Sequence, residues 1–288
     1  MKTGFVGLGA MGYPMALNLH KAGLLAAVYN RSPEKGRQFA RETRCTPVDS
    51  LAGLAKLCDA VVTCVSADAD VLEVVRGLAP DLKQGALVLD CSTVSAATAC
   101  EAAAKLKARG VDFLDCPVSG GTEGAKHGTL AIMCGGEPAA FERAQPVLNA
   151  LGKRVALMGP VGAGQATKAV NQIVVAGVAQ AVSEALAFAE SQGLPLAKVI
   201  EVVGSGAAQS WFLANRGPNM MRMTFPLGFR ISLHDKDLKI VQQMAGALGV
   251  QLPVVEMTRI HYKRLMETGF GDEDISALFR LKHALFKK

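Results

Sequence analysis

The chain has no C-x-x-C pair, no H-x-x-x-H and no Cys/His cluster. These absences exclude a zinc site on the usual ligand spacings, and no metal is expected. The seven cysteines, at positions 45, 58, 64, 91, 100, 116 and 134, are odd in number, and several sit in strand-like runs such as Val61-Val62-Thr63-Cys64-Val65. They read as buried thiols of a reducing, cytoplasmic compartment rather than as a disulfide framework. Aromatics make up only 5% of the residues, the net charge is a modest +6, and the basic residues are scattered apart from Lys287-Lys288. Without a basic stripe interleaved with aromatics, nucleic acid is not an expected partner. The charge balance suits a small anionic ligand and equally an ordinary soluble surface.

Long uninterrupted apolar runs are also missing. The most apolar segment, 173–189, is broken by Gln180, Ser183 and Glu184, so a buried helix is expected there and no membrane span. The apolar stretch after Lys2 superficially resembles a signal peptide, yet it is interrupted by Gly7, Gly9, Gly12 and Pro14. Its removal would delete the motif described next.

What is abundant is glycine, thirty residues in a chain of 288 that is 50% hydrophobic, ample for one large or two ordinary domains. Gly7-Leu8-Gly9-Ala10-Met11-Gly12 forms a G-x-G-x-x-G between the apolar run Gly4-Phe5-Val6 and a helical pattern over 13–22. Strand, glycine turn and helix thus follow in the order a dinucleotide requires. Gly7 permits the tight turn, Gly9 clears the approach of the pyrophosphate, and Gly12 lets helix and strand pack closely. The helix N-terminus then faces the anion.

Up to about residue 159, short β-rich runs (5–6, 26–29, 60–65, 86–91, 111–114, 130–134 and 154–158) alternate with helical stretches such as 33–43, with Ser32 as N-cap and Pro33 at the first position. That rhythm predicts an α/β, doubly wound, mostly parallel sheet of Rossmann type, the last strands being mixed in direction. After Gly159-Pro160-Val161-Gly162-Ala163-Gly164 the strand signal stops, and helices are expected at about 165–191, 196–204, 209–222, 235–248, 254–267 and 273–286. The expected organisation is a dinucleotide-binding domain over 1–160 and an all-helical substrate and oligomerisation domain over 161–288. The helix at 173–189, apolar almost all round, suits the centre of the second domain and contact with a second subunit.

The second strand should end in the residue that reads the adenosine ribose, and an acid there would favour NAD. Here the residues are Asn30, Arg31 and Ser32. Asn30 does not repel a 2′-phosphate, Arg31 can pair with it and Ser32 can donate to it, so NADP is preferred with NAD as the alternative. Arg31 is otherwise a solvated residue before a helix. Val65-Ser66 and Ser92-Thr93 end two later strands at the carboxyl edge that an open sheet presents to its cofactor. Thr93 suits a polar contact there, while Ser92 or Thr93 could instead cap the helix beginning near Ser95.

Two further blocks carry chemistry. In Asp115-Cys116-Pro117-Val118-Ser119-Gly120-Gly121, the glycines let successive N–H groups converge on a carboxylate, unless the segment is a plain turn. Gly162-x-Gly164-x-x-x-Lys168-x-x-Asn171-Gln172 opens the long helix and puts Lys168, Asn171 and Gln172 on neighbouring positions. An ammonium near a helix start opposes the dipole. It is either a proton donor for a carbonyl or a lysine whose stem covers the core. The Met220, Met221, Met223, Trp211 and Phe212 group is either an adaptable pocket wall or core.

Together these blocks, with Gly4 through Met15, Gly124-Ala125, Gly128-Thr129-Leu130 and Leu233-His234-Asp235-Lys236-Asp237-Leu238, resemble the β-hydroxyacid dehydrogenase family over nearly the whole chain. That family includes 3-hydroxyisobutyrate dehydrogenase, tartronate semialdehyde reductase and the glyoxylate/succinic semialdehyde reductases. The resemblance implies that Lys168 is the general acid/base and that Ser119, Gly120 and Gly121 hold the substrate carboxylate. An amide one turn beyond the lysine, Asn171 or Gln172, would orient the reacting oxygen; several members carry asparagine four residues after the lysine, where this chain has Gln172. It further implies that Lys236 approaches the cofactor from the helical domain and that Val65, Ser66 and Thr93 line the nicotinamide side. His234 invites a catalytic reading as well, but with a lysine already matched it reads as a polar residue near the domain interface. Asn30-Arg31 is similar to the NADPH-preferring reductases, whereas the 115–121 block is closer to the hydroxyisobutyrate and tartronate branch. The expected activity is NADP-dependent interconversion of a small carboxylate-bearing aldehyde and its hydroxy acid by a homo-oligomer, dimer or tetramer, with the site in the cleft between domains. An imine reductase on the same scaffold and a catalytically silent NADP-binding protein are the alternatives.

Overall fold

The structure, a computed structural model, describes residues 1–287. The first of two compact units, Met1–Lys168, runs β1 (Thr3–Val6), α1 (Gly12–Lys21), β2 (Leu25–Tyr29), α2 (Pro33–Thr43), β3 (Thr46–Pro47), α3 (Leu51–Leu57), β4 (Ala60–Thr63), α4 (Asp68–Leu78), β5 (Leu87–Asp90), α5 (Ala96–Lys107), β6 (Asp112–Asp115), β7 (Val118–Ser119), α6 (Gly121–His127), β8 (Leu130–Gly135), α7 (Pro138–Leu151) and β9 (Gly152–Gly159). The strands form one sheet in the order β3-β2-β1-β4-β5-β6-β8-β7, with β9 on β8. Pairing is parallel from β3 to β6, antiparallel where β8 meets β6 and β7, and parallel again between β8 and β9. This is the mixed direction expected for the last strands.

Strands β1, β4 and β5 are buried at every residue, which is why they read as continuous apolar runs rather than alternating ones. Successive side chains leave opposite faces. Phe5, Val62, Leu89 and Leu114 join α1 and α7 in one core, and Val6, Val61, Val88 and Phe113 join α3, α4 and α5 in the other. The chain order reverses between β1 and β4, so their carboxyl ends flank the crevice where open α/β sheets take ligands.

The second unit, Ala169–Lys288, comprises most of α8 (Ala163–Ser191), then α9 (Leu196–Gly204), α10 (Trp211–Met220), α11 (Ile231–Gly246), α12 (Pro253–Glu267), a 3-10 turn (Ile275–Ala277) and α13 (Leu278–Ala284). Helix α8 is long and apolar enough to cross a membrane by length and composition. Its Ala176, Ala179, Val182, Leu186 and Ala187 are buried in the helical core with Tyr262 and Phe279.

Several boundaries differ from the sequence expectation, each for a tertiary reason. The long helix begins at Ala163 rather than near 165, because the Asp115 carboxylate accepts from Gly162 N and Gln165 N at 2.8 Å each and caps it from another strand. Its first residues, Ala163–Lys168, are counted with the first compact unit. Helix α11 starts at Ile231, not 235, since Ile231 N and Ser232 N donate to the carbonyls of Glu273 and Gly271. In place of one helix over 273–286, the Asp274 side chain accepts from Ser276 N and forms the 3-10 turn ahead of α13. The α5 cap is Ser95, whose hydroxyl accepts from Thr98 N, and neither Ser92 nor Thr93. Ser32 and Pro33 do open α2, although no side-chain hydrogen bond is made at that cap. Met220 and Phe212 are core, whereas Trp211, Met221 and Met223 are exposed.

Candidate active site

The glycine loop between β1 and α1 is dictated by space. Gly7 has φ of +97° and donates to Tyr29 O at 3.0 Å. A Cβ there would overlap the Cys64 carbonyl oxygen, and one on Gly12 would overlap the carbonyl oxygen of Gly7. Gly9 faces open space, with nothing within 4 Å of a Cβ position. Ala10 is exposed and Met11 half-buried at the α1 N-cap, which has no side-chain cap, as suits an anion held by helix N–H groups. Two glycines thus build the turn and the third leaves a bare backbone, a cradle that fits a dinucleotide pyrophosphate.

Asn30 contributes more than neutrality at the end of β2. Its Oδ1 accepts from Leu8 N at 2.8 Å and its Nδ2 donates to Ser32 O at 3.0 Å, so it fastens the glycine loop to the start of α2. The Arg31 side chain is 78% exposed and pairs with Asp70 at 3.0 Å. Ser32 is the exposed N-cap of α2.

The ends of β4 and β5 are tied together below the surface. Asp90 is fully buried; its Oδ1 accepts from Thr63 Oγ1 (2.6 Å), Ser92 Oγ (2.6 Å) and Ser92 N (3.2 Å), while Oδ2 has no partner. Burial pushes this carboxyl above the usual carboxylate range against the pull of its hydroxyl donors. Ser92 Oγ in turn accepts from Val65 N at 2.9 Å. Thr93 is half-buried and Ser66 exposed beside this network.

Beyond β6, Gly120 and Gly121 take φ of +129° and +61°, which only glycine adopts readily. They form the turn from β7 into α6. Lys168, 6% exposed, donates from Nζ to Val118 O at 2.9 Å, so the structure brings the lysine to the strand that ends in Ser119. Asp115 holds the helix start beneath it. Burial raises the Asp115 carboxyl, partly offset by the N–H donors of Gly162 and Gln165. Cys91 and Cys116, fully buried at neighbouring strand ends, have their thiols pushed up by burial and behave as packing groups rather than nucleophiles.

In the helical unit, Asn171 Nδ2 donates to Gln172 Oε1 and Gln172 Nε2 donates to Asp237 Oδ2, each at 2.7 Å. Asp237 also pairs with Lys236 at 3.0 Å. The amides following the lysine and the lysine of α11 thus form one chain. His234 is fully buried, within 3.0 Å of the Tyr262 hydroxyl and 3.3 Å of Gln172 O; it fastens α11 to α8 and α12. Among the described residues no group of three or more His, Cys, Asp or Glu side chains could hold a metal.

Sequence reasoning gave no role to Asp90, Asp115, Gln165 or Asp237. Asp90 and Asp115 did carry a signal: an acid closing a strand whose immediately preceding residues are apolar and buried needs an internal partner. Gln165 and Asp237 carried none, because their partners are distant in sequence.

A family model of the NAD binding domain of 6-phosphogluconate dehydrogenase matches residues 2–159. A second, the NAD-binding of NADP-dependent 3-hydroxyisobutyrate dehydrogenase, matches 162–282. An uncharacterized oxidoreductase of Shewanella frigidimarina is 41% identical over 280 residues, 96% of each chain. The 2-hydroxy-3-oxopropionate reductase of Escherichia coli is 37% identical over 281 residues, again 96% of each. The solved Mycobacterium tuberculosis 3-hydroxyisobutyrate dehydrogenase with L-serine has a TM-score of 0.90 at 29% identity, covering 97% of this chain and 98% of that one. With the glycine cradle, the switch-point crevice and matches that run nearly end to end, the chain belongs to the 3-hydroxyisobutyrate dehydrogenase family of nicotinamide-dependent β-hydroxyacid oxidoreductases.

Proposed function

We propose that the chain interconverts a small carboxylate-bearing aldehyde, glyoxylate or a short semialdehyde, and its hydroxy acid, with NADP(H) as the preferred cofactor. The observation that carries this reading is the bond of Lys168 Nζ to Val118 O at 2.9 Å, which holds an ammonium beside the Ser119-Gly120-Gly121 turn. The turn offers a hydroxyl and backbone N–H groups suited to a carboxylate. A substrate anchored there keeps its carbonyl within reach of a lysine fixed to the same strand.

When bound, the dihydronicotinamide supplies the hydride. In reduction, Lys168 donates a proton from Nζ to the forming alkoxide oxygen; in oxidation its neutral amine takes the hydroxyl proton. Asn171 is the amide we assign to the reacting oxygen. Gln172 is 2% exposed and engaged at both ends of its amide, so it orients Asn171 and joins it to Asp237. Thr93 and Val65-Ser66 are assigned to the nicotinamide side and the 7–12 loop to the pyrophosphate. Arg31 with Ser32 is assigned to the 2′-phosphate, Asn30 holding the loop between them. Exposed Val170, Val174 and Phe188 on α8 support a homo-oligomer, and seven free cysteines suit a reducing cytoplasm.

The test is a spectrophotometric panel of glyoxylate, succinic, tartronate and methylmalonate semialdehydes with NADPH and NADH. Lys168→Ala is expected to keep NADPH binding and lose about 100-fold or more in kcat, the scale of a positioned general acid. Near-wild-type turnover in that variant refutes the assignment. So does the absence of turnover on every carboxylate aldehyde in the wild type.

A further inference from the structure

Gln165 lies one turn ahead of Lys168 on α8, at the i−3 position that shares its side of the helix, and is 2% exposed. Its Nε2 donates to Ser92 O at 2.8 Å, and its Oε1 accepts from Val94 N at 3.2 Å. These two backbone groups flank Thr93. A side-chain amide thus satisfies both peptide groups around one residue, as the facing strand of a β-ladder would. Buried backbone groups need such partners, and here the sheet provides none, since β5 ends at Asp90.

The same glutamine is fixed at its backbone, where its N–H donates to Asp115 Oδ2 at 2.8 Å. On the other side, Ser92 Oγ binds Asp90 and accepts from Val65 N. Gln165 therefore joins the ends of β4, β5 and β6 to the helix turn that bears Lys168, with every link inside the first unit.

We propose that Gln165 is a positioning residue for hydride and proton transfer: its amide sets the Thr93 backbone relative to Lys168, so that the two sides of the reacting centre keep one spacing. The inference rests on the proposed roles of Lys168 as proton donor and Thr93 at the nicotinamide. Gln165 itself need touch neither substrate nor cofactor. Its effect is confined to the reacting step, because the glycine loop and Arg31 are held by other bonds.

The experiment compares wild type, Gln165→Glu and Lys168→Ala by five measurements: NADPH affinity from fluorescence titration, single-turnover hydride transfer, the primary deuterium isotope effect on kcat with 4-deuterated NADPH, steady-state KM and thermal melting. Glutamate keeps the acceptor for Val94 N but sets a carboxylate oxygen against Ser92 O. Displacing the reacting groups by about 1 Å costs on the order of 100-fold, so Gln165→Glu should transfer hydride roughly 10- to 100-fold more slowly. Its isotope effect on kcat should rise, with Kd for NADPH and KM changed by less than about threefold. An unchanged hydride rate and isotope effect, with Lys168→Ala inactive, overturns the inference and leaves the proposed function standing. A parallel loss of cofactor affinity, melting temperature and hydride rate, with no change in isotope effect, also overturns it, since that marks a structural role. Turnover surviving in Lys168→Ala removes the proposed function and this inference with it. Should Gln165→Glu not fold, Gln165→Met, of similar length and without charge, is judged by the same criteria.

Discussion

Gly164→Ala adds one methyl group at the point where α8 leaves the sheet, and the structure says what it meets. A Cβ on Gly164 would overlap the carbonyl oxygen of Met133 and stand 2.6 Å from Asp115 O and 2.7 Å from Asp115 Oδ2. Two of these atoms are backbone of paired strands, β8 and β6, so the helix must yield rather than the sheet. Overpacking of this kind costs about 1–3 kcal/mol, roughly a 5 °C fall in melting temperature for a domain of this size. The backward shift also lengthens the bonds from Gly162 N and Gln165 N to Asp115 and carries Lys168 away from Val118 O. A displacement near 1 Å at the proposed proton donor is worth on the order of 100-fold in kcat. Gly9→Ala is the control, because nothing lies within 4 Å of its Cβ position. That variant should melt like wild type and lose NADPH affinity alone. Thermal melts, NADPH titration and semialdehyde kinetics on both variants decide the matter. If Gly164→Ala melts normally with kcat within twofold of wild type, the close approach of α8 to β6 and β8 does not set the position of Lys168.

Arg31→Ala should weaken NADPH by about 1–3 kcal/mol more than NADH if the guanidinium binds the 2′-phosphate. Asp70→Asn, which releases Arg31 from an exposed ion pair worth ~1 kcal/mol at most, should tighten NADPH up to about fivefold, and equal effects on both cofactors would refute the assignment. Gly121→Val forces a β-branched residue into φ of +61°; it should raise KM and lower kcat for the acid substrate. The wild type should handle a methyl ester far less well than the free acid, and equal kcat/KM for the two moves the carboxylate site elsewhere. Burial raises the folded-state pKa of Asp90, so the folded protein binds the extra proton above the unfolded value of about 4, and stability falls as pH rises through that window. The stability of Asp90→Asn relative to wild type should therefore grow from pH 4 upward in denaturant melts, and a flat difference refutes the reasoning.

The legible parts of this chain are those where chemistry and chain order coincide. The strand, Gly7-Gly9-Gly12 turn and helix were readable because one short segment holds the whole device, and the β-rich runs were readable because strands buried on both faces become continuously apolar. The helix starts at Ala163 and Ile231 were not, because their first-turn N–H groups are taken by Asp115 and by the Gly271 and Glu273 carbonyls, groups that local propensity does not see. Ser92 is the sharpest case. A serine two residues past a strand leaves a helix cap open as the alternative to a place at the cofactor edge; buried Asp90 draws its hydroxyl inward instead, and Ser95 takes the cap. Asn30 was read for the charge it lacks, whereas its position is explained by Leu8 N.

These bonds share a design. The cofactor cradle depends on the absence of side chains, and bare backbone alone cannot hold its own register. Polar side chains from neighbouring strand ends supply it: Asn30 grips Leu8 N, Ser92 grips Val65 N, Gln165 grips both sides of Thr93, and Asp115 grips the start of α8. Each is the acceptor for at least one backbone N–H that would otherwise lie at the carboxyl edge with no strand to pair it. Because that edge carries the proposed chemistry, loss of one grip should first disturb the alignment of reacting groups and only afterwards the stability of the sheet, whose parallel core from β2 to β6 is closed by its own ladder. Activity and melting temperature should accordingly separate at these four positions, whereas truncations of Phe5, Val62 or Leu89 in the core should move both together.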